Sequence, residues 1–329
     1  MTSHSKVMSL GVLLFIVIVS LFVALLFGSM SFSASQIFDI LFSSAPSVAH
    51  DIIWKLRLPR AFAAFVCGGL LAMSGVLLQV LLRNPLADPY VLGVSGGAAL
   101  GALVAMLFGA SGAALLHLGA LAGAFAAIAI VFALSFRAGD WNVHRLLLTG
   151  IVLSAGFTAL ISLVLVLAPQ VQLRGMLFWL MGDLSFAPFS PAALCLLLII
   201  GGFAIAGART LNVLARGEIE SQALGVALSP ARIALFGATA ALTATAVITA
   251  GGIGFIGLVT PHLVRLIAGS NHRIVVPASI LLGGTLLTLA DTLARIAAAP
   301  RQLPVGALTA LIGVPLFLML MRRERRITS

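Results

Sequence analysis

Ten apolar runs divide this sequence, near residues 8–28, 61–82, 93–109, 115–136, 145–168, 189–207, 231–250, 254–268, 274–297 and 305–321. A helix rises 1.5 Å per residue, so about 20 residues cross the ~30 Å hydrocarbon layer of a bilayer. Inside lipid, backbone groups must find partners within their own segment, and a helix does this for every run. The sequence shows none of the short alternating strands of a transmembrane barrel. Composition agrees: 9% of the residues are charged, against about 25% in a soluble domain, and the mean hydropathy is +1.20. The reading is an all-α polytopic membrane protein of about ten transmembrane helices, a single domain over residues 1–329. The first run, in KVMSLGVLLFIVIVSLFVALLFGSM, is longer than the ~7–15 residues of a signal-peptide core and is expected to stay as the first helix.

The net charge of +10 does not describe a nucleic-acid face, because the basic residues are scattered at the ends of apolar runs. That pattern suits the positive-inside rule and anionic lipid. With the N-terminus in the cytoplasm, Lys6, Arg83, Arg137, Arg145, Arg209, Arg216, Arg232, Arg265, Arg273, Arg322, Arg323, Arg325 and Arg326 lie inside. Lys55, Arg57, Arg60, Arg174, Arg295 and Arg301 lie outside. Thirteen against six places both termini in the cytoplasm. Most of the outer minority falls in two stretches, KLRLPR and ARIAAAPR.

The stretch RNPLADPYVLGVSGG, residues 83–97, interrupts two apolar runs. Asn84-Pro85 ends a helix, since proline lacks a donor and crowds the preceding turn. Asp88-Pro89 fits an N-cap followed by proline at the first helical position. The stretch reads either as an ordinary cytoplasmic turn or as non-helical backbone lining a pathway, which membranes tolerate only under protein cover. GVSGG matches the nucleophile elbow G-x-S-x-G, but that motif follows a strand and Ser95 follows a helix. No GxxxxGK[ST] phosphate loop occurs, so ATP-driven work has to come from a partner.

Residues 208–232, ARTLNVLARGEIESQALGVALSPAR, form the longest inside loop, with a coupling segment at about 208–230. A break at Gly217 precedes a short amphipathic helix with Glu218 and Glu220 in its first turn, where the helix dipole favours acids. Gly225 is placed to end it. Such a helix suits a groove on a partner, or it is an interfacial loop helix. Of the acids at membrane depth only Asp291 suggests ion coupling, and Arg295, four residues on, makes a local ion pair the simpler role. His262 lacks a second ligand at helical spacing and reads as packed or gate-adjacent. Cys67 and Cys195 sit in apolar runs and supply neither a disulfide framework nor a metal site. Small residues in GGLLAMSG, LGALAGA and GATAALTATA predict close helix packing. The helix leading into NPLADPYVLG runs inward and the one leading into GLVTPHLVRLIAG runs outward, the trace an inverted repeat would leave.

Seven stretches together resemble the FecCD/BtuC-like permease family of type II ABC importers. They are IWKLRLPRAFAAFVCGGLLAMSGVLLQ, RNPLADPYVLGVSGGAALG, RLLLTG, MLFWLMGDLSF, RGEIESQALGV, GGIGFIGLVTPHLVRL and LADTLARIAAAPRQLPVGALTALIGVPLF, in family order from about residue 50 to 321. The resemblance implies a homodimer in a bacterial inner membrane, two cytoplasmic ATPase subunits that carry ATP and magnesium, and a periplasmic binding protein that delivers a metal chelate. The chain itself is expected to hold no cofactor and no catalytic residue. Arg57, Arg60 and Arg295 match positions that meet the binding protein. Leu211, Leu214, Glu218, Ile219, Glu220, Ala223, Leu224 and Gly225 match the ATPase-coupling helices. Asn84 and Leu86 match one cytoplasmic gate, and Asn142 and Val143 the other, although WNVHR lacks the small hydroxyl residues found there in the B12 branch. The implied activity is import by alternating access of a bulky chelate, ferric siderophore or haem, with cobalamin as the alternative. An ion-coupled carrier would need mid-membrane coupling groups, and only Asp291 is available.

Overall fold

The computed structural model describes residues 3–328 except 29, 43–46, 110–111, 138–139, 142, 186 and 188. Each of the ten apolar runs falls on a helix. The helices are α1 (Ser3–Leu26), α2 (Ala34–Phe42), α3 (Val48–Leu82), α4 (Val94–Leu107), α5 (Ala113–Ser135), α6 (Val143–Leu167) and α7 (Gln170–Leu180). They continue as α8 (Pro191–Ala206), α9 (Ala208–Leu214), α10 (Glu218–Ala223), α11 (Leu228–Ala250), α12 (Ile256–Ala268), α13 (His272–Ile296) and α14 (Val305–Thr328). Five helices are long and apolar enough to cross a membrane alone, and α8 with α9, bent by 71° at Gly207, adds a sixth segment. The apolar parts of α1, α4, α12 and α14 are shorter. Among the described residues the one departure from an all-helical chain is a two-residue antiparallel pair, Phe136–Arg137 with Asp140–Trp141.

Helix α3 is the axis of the bundle. Its span is 89% buried, against α1, α8, α11, α12 and α13. The sequence shows why it can be surrounded: a Cβ on Gly68 would strike the Gly283 carbonyl of α13, and one on Gly75 would strike the Gly257 carbonyl of α12. Backbones approach closely there because nothing stands between them. Ser74 adds a polar staple, its Oγ 2.6 Å from Thr243 Oγ1 and 3.1 Å from the Thr239 carbonyl of α11. Gly97 and Gly101 of α4 meet Gly123 and Gly119 of α5 in the same way. The small-residue runs therefore pack helices as expected, the third through the buried Thr239, Ala240, Thr243, Ala244 and Ala246 of α11, although Gly237 itself has nothing within contact distance.

Two elements were not legible as separate features. α3 begins well before its apolar run and opens into a π-helical turn over Ile52–Arg57. Pro59 follows and cannot donate to the preceding turn, which loosens the ladder there. α2 is a short amphipathic helix whose Ile37 is fully buried against Leu25 and Ile53.

Candidate functional site

At the Arg83 end of α3, the interrupted stretch is built as its residues dictate. Arg83 takes left-handed backbone (φ 50°) and closes α3, with its N–H on the carbonyls of Gln79 and Val80. Asn84 Oδ1 accepts from the Leu86 N–H at 2.9 Å. Asp88 is the N-cap of a 3₁₀ turn over Pro89–Leu92, accepting from the Tyr90 N–H at 2.8 Å. Burial pushes the Asp88 carboxyl above the usual carboxylate range, against the pull of that N–H. Gln79 Nε2 donates to the Ala87 carbonyl at 3.4 Å and to the Leu258 carbonyl at 3.3 Å. The hydroxyl of Tyr90 accepts from the Ile253 N–H at 2.6 Å, so the break after α3 is tied to the break between α11 and α12. Protein thus covers this non-helical backbone, while Asn84 and Leu86 stay exposed. Asn142, of the second expected gate, lies outside the described residues; Val143 opens α6 and its side chain lies outside them too.

The segment expected to couple to the ATPase sits against the same end. Gly217, at φ 145°, breaks the chain between α9 and α10, and Gly225, at φ 76°, ends the turn after α10 as the sequence predicts. Glu218 holds two arginines, Arg83 at 2.5 Å from the interrupted stretch and Arg232 from the start of α11. Ser221 is fully buried and donates to the Val213 carbonyl at 3.2 Å, which locks α10 on α9. Ile219 is 84% exposed and Leu224 64%; Glu220, Ala223 and Gly225 are exposed beside them. Leu211 and Leu214 turn the other way and are buried in the main core. The segment therefore presents the α10 side and anchors itself through α9.

At the opposite end, Arg60 and Arg295 meet at Asp291, and Arg57 stands apart from that carboxylate, near Arg295. Arg60 grips the Asp291 carboxylate with Nε at 3.0–3.1 Å and Nη2 at 2.7 Å. Arg295 approaches the other oxygen at 3.3 Å, the i,i+4 pair expected. Arg295 also donates to the carbonyls of Ala24 and Phe27, at 3.1 and 3.2 Å. Arg57 donates to the carbonyls of Leu25, Leu26 and Met30 and lies 4.8 Å from the centroid of Phe32. The last carbonyls of α1 have no intrahelical donors, and two arginines from other helices supply them. Both are buried, Arg57 at 6% exposure and Arg295 at 7%. Arg60 remains nearest the surface, with Nη1 on Gln302 at 3.3 Å. The Arg60–Asp291 contact is the feature sequence reasoning missed.

Beside this end lies a cavity of about 810 Å³, lined by His117, Arg174, Phe178, Trp179, Asp183 and Arg301 among others. The Arg174 guanidinium stands 5.8 Å from the Phe178 ring centroid. His262 is packed, 4% exposed and edge-on to Phe317. Cys67 is buried, with Sγ 3.6 Å from the Ala246 carbonyl, and Cys195 is exposed on α8.

These features meet known proteins at full length. The model of the FecCD transport family matches residues 15–323. The hemin transport system permease protein HmuU of Yersinia pestis is 41% identical, over 93% of this chain and 94% of its own. The vitamin B12 import system permease protein BtuC of Escherichia coli O9:H4 (strain HS) is 38% identical over 83% and 84%. The molybdate import system permease protein MolB of Haemophilus influenzae is 35% identical over 98% and 97%. A solved metal-chelate type ABC transporter in an inward-facing conformation superposes with a TM-score of 0.84 at 33% identity, covering 95% of this chain and 98% of that one. The helical bundle is thus that of an ABC-importer permease subunit, and the chain belongs to the FecCD transport family.

Proposed function

We propose that this permease moves a bulky metal chelate from periplasm to cytoplasm across a bacterial inner membrane, as a homodimer driven by two ATPase subunits. The observation that carries the reading is α10: a short helix with bare Ile219 and Leu224, held by Glu218 to the interrupted stretch at Arg83. Exposed apolar side chains on a helix suit a partner's groove, and the ion pair gives the push a route to Asn84 and Leu86. Both termini and α10 then face the cytoplasm, as the distribution of Lys and Arg supports. ATP and magnesium belong to the ATPase, and this chain contributes the moving walls.

The binding protein docks at the Arg57 end. Arg60 and the exposed Arg301 present positive charge there, and Arg57 and Arg295 hold that surface in shape from beneath. The cavity beside it, with two arginines and the aromatic faces of Phe178 and Trp179, suits a large, flat, anionic chelate. Haem fits this description, and the hemin permease is 41% identical; a ferric siderophore follows, and cobalamin is the alternative. Proteoliposomes holding the chain, its ATPase and the cognate binding protein should take up chelate only with ATP inside. Uptake by the chain alone against a gradient would overturn the reading. A comparison of haem, ferric siderophore and cobalamin in the same vesicles identifies the cargo.

A further inference from the structure

A second polar cavity, of about 530 Å³, opens at the Arg83 end between α3, α9 and the α12–α13 connection. Arg83, Arg216 and Arg265 line it together with Asn212, Asn271 and His272, and no Asp or Glu does. Its volume lies within the usual range for a small-molecule site. Three guanidinium groups on one cavity repel one another unless an anion enters. Glu218 lies outside the cavity's lining and is shared between Arg83 and Arg232, so it offsets at most part of this charge. Arg216 has no ion-pair partner among the described residues. Arg265 meets only the neutral Gln79 Oε1.

The remaining walls are polar side chains held in place by one another. Asn212 Oδ1 accepts from the His272 backbone N–H at 2.9 Å and lies 2.7 Å from its Nδ1. His272 is 2% exposed; its Nδ1–H faces Asn212 Oδ1, which leaves Nε2 of the neutral ring an acceptor, so His272 braces the wall and does not itself hold an anion. The N-terminus of α13, a helix of 25 residues, begins at this wall; its first N–H groups are already held by Asn212 Oδ1, Asn271 Oδ1 and the Asn271 carbonyl, so it contributes only the positive end of its dipole. The three guanidinium groups and the dipole of α13 favour an anion with several acceptor oxygens, and forked guanidinium donors match phosphate.

We infer that this cavity is a binding site for a phosphate-bearing anion, with Arg216 and Arg265 as its principal contacts. Such a group comes from the headgroup of an anionic phospholipid or from free phosphate in solution. Basic pockets at the ends of membrane helices take anionic headgroups. The site does not depend on which face of the membrane it opens to; the proposed orientation decides only which leaflet supplies the lipid. Because Asn212 and Arg216 belong to the coupling segment and Arg83 to the interrupted stretch, an occupant would bridge the two elements that Glu218 already joins.

The test uses the full permease–ATPase complex in neutral detergent, with retained lipid read by native mass spectrometry. Short-chain phosphatidylglycerol, phosphatidylcholine and inorganic phosphate are the probes. Phosphatidylglycerol should bind, phosphatidylcholine should not, and Arg216→Gln should weaken binding about tenfold, as loss of one charge-assisted contact implies. Arg265→Lys, which keeps the charge and loses the fork, should fall between. Arg209→Gln, on α9 but outside the cavity, should bind like the unaltered protein. Displacement of the lipid by millimolar phosphate would assign the site to free phosphate, and failure to displace it assigns the headgroup. Equal binding of both lipids, or equal effects of Arg216→Gln and Arg209→Gln, would overturn the proposal. Arg216 is exposed, so its variant should fold even where an Arg265 variant does not.

Discussion

Asp291 is 1% exposed and carries the charge balance of two arginines on two helices, Arg60 of α3 and Arg295 of its own α13. Removing one partner of a buried ion pair leaves the others unpaired, which costs about 3–5 kcal/mol. Asp291→Asn keeps the volume and removes the charge, so it should lower the melting temperature of the purified protein by several degrees and reduce its yield in membranes. A proton-coupling role would predict a different result: normal folding with loss of transport alone. Half of this cluster was readable, because an i,i+4 spacing on a helix puts Asp291 beside Arg295. The other half was not, since Arg60 lies 231 positions away and no local pattern records which helix will pack against which. The burial of Arg57 and Arg295 escaped for the same reason. A sequence shows that an arginine stands near a helix end; it does not show that the end of α1 will arrive there with open carbonyls.

In the proposed mechanism the elements that carry force are α9, α10 and the interrupted stretch. α10 has six residues, too few to be stable as an isolated helix, so it depends on Ser221 beneath and Glu218 beside it. Its outward side chains are then free for a partner. Replacing Ile219 and Leu224 together by alanine should leave the melting temperature unchanged, since both are exposed, while ATP-driven uptake falls at least tenfold. Unchanged uptake would remove α10 from the coupling path. Glu218→Gln addresses the next link. The pair is partly exposed, with side chains at 36% and 43%, so its contribution to stability is about 1 kcal/mol or less. Uptake should nonetheless drop with ATPase binding intact, because α10 loses its hold on Arg83; a parallel loss of ATPase binding would instead make Glu218 a docking residue. The break at Gly217, the acids of the first turn and the stop at Gly225 were all legible, as was the Asp88-Pro89 cap. The inward turn of Leu211 and Leu214 was not. On a seven-residue helix, apolar residues at i and i+3 mark one face, and only the bundle decides whether that face meets the core or a partner.

Across the whole molecule, cover is uneven: the α3 span is 89% buried and the α6 span 11%. Helices of similar hydropathy thus have opposite surroundings, and composition could not tell them apart. α6 is also the bare helix that carries hydroxyls on one stripe. Thr158 donates to the Ser154 carbonyl at 2.8 Å and Ser162 to the Thr158 carbonyl at 2.9 Å. Such back-bonding satisfies the hydroxyls in any surroundings, but a polar stripe on the most open helix is better placed along a water-filled route than against lipid. If two copies face each other across α6, the stripe lines the pathway between them. In a background with Cys195→Ser, Thr158→Cys and Ser162→Cys should then react with a membrane-impermeant thiol reagent in intact vesicles. Phe203→Cys, on the exposed side of α8, should not, because lipid keeps the reagent and the thiolate apart. The reaction should also change rate when ATP closes the ATPase pair, since alternating access moves the route from one side of the membrane to the other. Equal protection of Thr158→Cys and Phe203→Cys in every nucleotide state would place α6 in lipid, and the pathway would have to be sought along another face.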